Sequence, residues 1–203
     1  MVGVFSDIND TLTTEGAITP DALEALQNLK DAGLMVIPIT GRPVGWSIHF
    51  ASTWPVDAIV AENGAAALLH NAQESQVTKI YQQDLATRKH NFVQMQRIAQ
   101  RVLSEIPGTV LAQDSPGRET DIEFDHSEFH KLSQTQIQQV LQLLKQEGID
   151  RHRQQHPHQR LVWQTQQMAW RAVDLEGIDR QRFKARPRSM GVCRRLHQRS
   201  SDV

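Results

Sequence analysis

The stretch MVGVFSDINDTLT, residues 1–13, decides how this chain is read. Met1 to Ser6 is short, apolar and β-prone, and it stops at Asp7. That predicts a buried parallel strand with a carboxylate at its C-terminal tip. A tight polar turn follows, Asp7-Ile8-Asn9-Asp10-Thr11-Leu12-Thr13. A carboxylate in that place suits a nucleophile or a metal ligand. It also suits an ordinary turn aspartate whose oxygens are satisfied locally.

Two more strand units follow. Thr19-Pro20-Asp21 predicts a helix start, with Thr19 as cap, Pro20 in the first turn and Asp21 at the positive end. Leu23, Leu26 and Leu29 share one face, and Gly33 stops the run. Leu34 to Ile39 (LMVIPI) reads as a second buried strand ending in Thr40-Gly41-Arg42-Pro43. Trp46 to Ser52 reads as a short helix. Asp57 to Ala61 (DAIVA) reads as a third strand ending in Glu62-Asn63-Gly64. Polar residues at the C-terminal end of each strand describe an α/β fold built on an open, doubly wound parallel sheet. In that architecture the ligand crevice lies outside those ends.

From Asp84 the pattern changes. Asp84 to Ile106 reads as a helix with Phe92, Met95, Ile98, Val102 and Ile106 inward. Thr120 to Phe124 (TDIEF) alternates like a half-exposed strand, and Thr135 to Gln146 reads as a helix with Ile137, Val140, Leu141 and Leu144 inward. The expected division is a core over 1–83, part of an inserted α+β unit over 84–150, and a basic, poorly ordered tail over 151–203.

The whole chain has 203 residues, 39% hydrophobic and 5% aromatic, enough for one compact domain with a small insert. Its one cysteine, Cys193, excludes an internal disulfide and a four-cysteine zinc site. No apolar run reaches membrane-spanning length, and Met1 to Ser6 lacks the form of a signal peptide, so a cytoplasmic protein is expected. The net charge of −1 hides an asymmetry. Residues 1–150 hold 10 Lys+Arg against 19 Asp+Glu, whereas 151–203 hold 12 against 4, and 11 of the 16 arginines lie after residue 150.

Strand-D-x-x-x-T-L-T, then strand-TGRP, then strand-ENGA resembles the haloacid dehalogenase phosphatase superfamily. The resemblance runs over residues 1–150. It is nearest the class IIB subgroup with an α/β cap inserted after the third strand, which includes trehalose- and sucrose-phosphate phosphatases. It implies a Rossmann-like core with a cap, and hydrolysis of a small phosphorylated metabolite such as a sugar phosphate. Asp7 aligns with the nucleophile that forms an aspartyl-phosphate and also ligates Mg²⁺. The backbone carbonyl of Asn9 aligns with a second Mg²⁺ donor. Thr40 aligns with the hydroxyl that holds the transferring phosphoryl group. Thr11, Gly41, Arg42 and Asn63 fall at substrate-facing positions. Gly41 lets backbone approach, Arg42 pairs with phosphate or braces its loop, and Asn63 orders the third-strand loop or touches substrate.

Position 9 departs from the pattern. The family carries there a second aspartate, which protonates the leaving oxygen and then activates water. The amide of Asn9 cannot do that proton work, and general acid–base help is typically worth about 10²–10⁴-fold.

The last quarter departs further, since residues 151–203 hold neither the lysine nor the G-D-x-x-x-D run that the family places on its later core strands. They show no period, cap or buried strand. His152, His156 and His158 raise the alternative of a metal site. The arginines raise that of a non-catalytic protein binding nucleic acid or another acidic partner. The tail lacks the aromatic interleaving and module pattern of nucleic-acid binders.

A third account fits better. Joining the last two bases of each codon to the first of the next forces Gly from Trp163-Gln164. The same shift forces Trp from Met168-Ala169 and from Met190-Gly191. In that frame the code permits ATVSSIHINAWFGKHNKW from Arg151 and WACVGDSTNDQAMF from Met190. The first resembles the family's return from cap to core, with a candidate lysine. The second resembles its missing acidic motif. A frameshift near Asp150-Arg151 is therefore expected. Its loss of the last strands would leave strand 1–6 as an edge with uncovered apolar surface.

Overall fold

The computed structural model describes residues 3–71, 76–126 and 129–148, with the backbone of 151–153 and 161–164. The core opens with β1 (Gly3–Asp7) and a small hairpin of β2 (Thr13–Thr14) and β3 (Ala17–Ile18). Helix α1 (Pro20–Asp31) then leads to β4 (Met35–Ile39), α2 (Val44–Thr53) and β5 (Ala58–Ala61). The Thr19 hydroxyl accepts from Ala22 N–H at the start of α1, and Gly33 takes φ 78° just past its end. These are the stop and start signals expected from the sequence.

β1, β4 and β5 are parallel neighbours. A turn at Glu62–Gly64 then sends the chain back as β6 (Ala66–Asn71) and β7 (Gln76–Tyr81), both antiparallel. The five-stranded order is β1-β4-β5-β6-β7. The expected α/β sheet is present with β1, β4 and β5 parallel, and an antiparallel hairpin that was not expected extends it. The buried run Ala65–Leu69 right after Gly64 was the available signal for the extra hairpin. One face of the sheet packs Ile8, Val36, Ile59 and Leu68 with Leu26 of α1 and Val44, Ala51 and Trp54 from α2 and its cap. The other face gathers Met35, Ile37, Val60 and Leu69.

The inserted unit contains α3 (Leu85–Glu105), β8 (Val110–Leu111), β9 (Asp121–Asp125) and α4 (Gln134–Gln146). Asp84 caps α3, and Ser133 with Gln136 forms a capping box on α4. Met95, Ile98, Val102, Phe124, Val140 and Leu144 form its core. Two expectations fail here. Phe92 is 39% exposed rather than inward. β9 is buried along its whole length rather than half-exposed. Its apolar residues Ile122 and Phe124 meet the helices, while Asp121 and Glu123 pair with the buried Arg118.

β10 (Arg151–Arg153) and β11 (Leu161–Gln164) extend the second sheet in the order β10-β11-β9-β8. The apolar, β-prone run Leu161-Val162-Trp163 supplies β11. The three histidines proposed as a metal site, and the segment after residue 164, lie outside the residues whose side chains are described. No helix among the described residues is long and apolar enough to cross a membrane.

Candidate active site

The register of the parallel strands brings the expected site residues to one edge. Asp7 sits level with Ile39, and Ile39 level with Val60. The chain therefore leaves β1, β4 and β5 at the same end of the sheet, with neighbouring strands roughly 5 Å apart. Asp7 is exposed there, Asn9 is half-buried and Thr11 is exposed. Asp10, between them, takes φ 57°, a left-handed backbone that Asp and Asn tolerate better than most residues. The turn closes on the Ile8 carbonyl, which accepts from Leu12 N–H at 2.9 Å, Thr13 N–H at 3.1 Å and the Thr13 hydroxyl at 3.1 Å. Ile8 itself is fully buried, which anchors the turn beneath Asp7.

Thr40 begins the loop after β4 and is 2% exposed. Its N–H donates to Val60 O at 2.8 Å, and its carbonyl accepts from Asn63 N–H at 3.2 Å. Its hydroxyl oxygen accepts from Arg42 N–H at 3.0 Å, so the hydroxyl's own proton remains to donate elsewhere. Gly41 and Arg42 are half-buried. The Arg42 guanidinium lies 3.4 Å from an Asp114 carboxylate oxygen and packs over the Trp46 ring at 5.9 Å. These contacts tie the loop after β4 to the inserted unit, here called the cap, and both roles of Arg42 stay open. Asn63 takes φ 55° in the turn after β5, with its N–H tied to Thr40.

Sequence reasoning missed Glu62 and Arg118. Glu62 is fully buried and takes φ 47°. Its carboxylate accepts from Val44 N–H in the core and from Glu119 and Thr120 N–H in the cap. Arg118 has a side chain only 2% exposed. It donates to Gly41 O at 3.3 Å, to Asp121 at 2.8 Å and to Glu123, and it lies 3.4 Å from Asp114. Burial, helped by the charges of Glu62 and Glu123 and opposed by Arg118, pushes the Asp121 carboxyl up to about 7. A glycine pair completes the seam, since a Cβ on Gly45 would come within 3.0 Å of the Gly117 Cα. The only sequence signal for this seam was the run of charges in Arg118–Asp125, which alternation made look like a solvated strand face.

Magnesium prefers oxygen donors and near-octahedral geometry. Asp7 brings one carboxylate and Asn9 its backbone carbonyl, which the amide side chain leaves unchanged. Among the described residues no group of three His, Cys, Asp or Glu side chains converges on a possible metal position. The described residues supply part of a magnesium donor set.

A family model described as haloacid dehalogenase-like hydrolase matches residues 4–175, running past the composition break at 150. No curated protein matches the chain significantly. Solved structures do. A Thermoplasma acidophilum protein designated 0175 is 12% identical over 89% of this chain and 72% of its own, with TM-score 0.59. The Synechocystis sucrose-phosphatase, solved with sucrose and phosphate, is 16% identical over 81% and 64%, with TM-score 0.54. The C-terminal domain of the Candida albicans trehalose synthase regulatory protein is 16% identical over 82% and 55%, with TM-score 0.52. Likeness at these identities shows the shared fold. The chain spans less than two thirds of the latter two.

Proposed function

The chain belongs to the haloacid dehalogenase-like hydrolases, and from that premise we propose a phosphomonoesterase of small phosphorylated metabolites, sugar phosphates above all, whose turnover is crippled in this chain. The observation that carries the reading is the register that sets Asp7 and the Thr40 loop side by side at the C-terminal end of parallel strands. An Asp7 carboxylate oxygen attacks phosphorus, the P–O bond to the substrate alcohol breaks, and an aspartyl-phosphate forms. The Thr40 hydroxyl, already accepting from Arg42 N–H, directs its proton to a phosphoryl oxygen. Thr11, Gly41 and Asn63 line the same strand end, and Arg42 holds the loop through Asp114.

The leaving alkoxide needs a proton, and the acyl-phosphate then needs an activated water. Asn9 supplies neither. In this reading the first step is slow and the second slower. Mg²⁺ binds weakly through Asp7 and the Asn9 carbonyl. A cytoplasmic setting belongs to the same reading, since charged sugar phosphates do not cross membranes unaided. The frameshift near Asp150-Arg151 is the second half of the proposal, because the genetic code permits the later lysine and acidic motif one base away.

Two experiments test this. Sequencing the codons around Asp150 must find the two permitted strings in the shifted frame, and their absence there ends the frameshift proposal. The chain carrying Asn9→Asp and the in-frame C-terminus must release phosphate from a panel of sugar phosphates, and Asp7→Asn must abolish that release. A restored chain indifferent to Asp7 would overturn the phosphatase reading.

A further inference from the structure

We propose that Glu62 is a positioning residue through which docking of the cap sets the shape of the Thr40–Pro43 loop. On the core side, Glu62 N–H donates to Arg42 O at 3.1 Å, and its Oε1 accepts from Val44 N–H, the first residue of α2, at 2.9 Å. The same carboxylate reaches the cap. Oε1 accepts from Glu119 N–H at 2.9 Å, and Oε2 accepts from Thr120 N–H at 2.7 Å and from the Thr120 hydroxyl. One buried side chain therefore holds the C-terminal end of the loop that carries Thr40, where α2 begins, and binds two consecutive amides of the cap.

The backbone at Glu62 underlines the point. A left-handed φ is unfavourable for a non-glycine residue, and it persists only where surrounding contacts over-determine it. Those contacts come from two different units of the fold. If the cap withdraws, the carboxylate gives up the Glu119 and Thr120 donors, and the geometry that aims Oε1 at Val44 N–H, and with it the start of α2, is loosened. Arg118 on Gly41 O, Arg42 with Asp114, and the Gly45–Gly117 contact press the same loop from the cap side. Glu62 adds to them a link between the loop and the turn after β5, where Asn63 N–H donates to Thr40 O. The cap position and the loop conformation are thus one two-state element.

This rests on the phosphatase reading only in naming the loop as phosphoryl-facing. The test reads backbone amides of the full chain by hydrogen exchange, so it can fail while that reading stands, and the reverse. Thr120→Val removes from the cap the one hydroxyl that donates to Glu62 and changes no residue of the core. It should speed exchange at Val44 and Asn63 by about tenfold, together with Glu119 and Thr120, leaving the α4 amides unchanged. Thr120→Ser, which keeps the hydroxyl, should return all four to wild-type rates. Glu62→Gln, which sets an amide donor against backbone donors, should exceed the Thr120→Val effect at the same four positions. Should it unfold the chain, Thr120→Val and its serine rescue decide the matter alone. Faster exchange confined to Glu119 and Thr120, with Val44 and Asn63 within about twofold of wild type, would overturn the proposal.

Discussion

At the β7 flank of the core sheet, Lys79 and Tyr81 both donate to Glu119 of the cap, and Arg88 lies over the Tyr81 ring. Burial and the neighbouring Glu119 hold the Tyr81 hydroxyl protonated well above the usual phenol range. At the opposite flank, β1 pairs with β4 alone among the described strands, and Phe5 stands 48% exposed. The candidate nucleophile Asp7 belongs to this second flank. The β7 flank is therefore tied down by several polar contacts, whereas among the described residues the β1 flank offers an exposed aromatic and a single strand partner. Within the parallel part of the sheet the contrast is local to the edge strand, because Met35, Ile37 and Val60 on its neighbours are buried.

Restoring Asn9→Asp with the in-frame C-terminus attacks the contrast at its weakest point and should have the largest effect. Asn9→Asp alone should leave sugar-phosphate turnover negligible. In the completed chain the substitution should raise phosphate release by about 10²–10⁴-fold over the same chain with Asn9. Equal activity with and without Asn9→Asp would mean that the two flanks do not differ in chemical competence.

Next comes the cap side. Arg118→Met removes the cation that Asp114, Asp121 and Glu123 share, and should cost about 3–5 kcal/mol in urea unfolding because buried charge is left uncompensated. Phe124→Ala, at the centre of the cap core, should cost a similar 3–5 kcal/mol, about the range for a buried aromatic. A loss below about 1 kcal/mol for Arg118→Met would show the seam to be less decisive than its contacts suggest.

Asp121→Asn gives a smaller, pH-dependent effect. Asp121 ionises near 3.8 in the unfolded chain and near 7 in the fold. Between those values the folded state holds the extra proton, so this residue lowers stability as pH rises from about 4 to about 7. Asparagine keeps the acceptor for Arg118 without the charge. The Tm difference, variant minus wild type, should grow over that window and level off above it.

Phe5→Lys should change stability least, within about 0.5 kcal/mol, yet reduce self-association in light scattering, since a charged edge resists strand addition. A cooperative loss of folding would place Phe5 inside a core and erase the contrast.

Much of the core was legible in advance. The caps and stops of α1, the burial of β4 and β5, and the polar residues at their ends follow from local rules of helix capping and strand hydrophobicity. The cap helices followed from the 3.6-residue period. The β6–β7 hairpin, the pairing of β10 and β11, and the outward turn of Phe92 were not legible, because each depends on what lies alongside. At the site, the position of Asp7, Thr40, Arg42 and Asn63 on one sheet edge came from the order of motifs. The importance of Glu62 and Arg118 did not.

By itself, the sequence determined which residues end the strands and that position 9 carries an amide, because covalent identity and short-range periodicity need no partner. Tertiary structure alone decided that Glu62, Arg118, Asp121 and Glu123 are buried. An isolated charge pattern reads as solvated, and only the approach of a second unit supplies the donors and counter-charges that let such groups leave water.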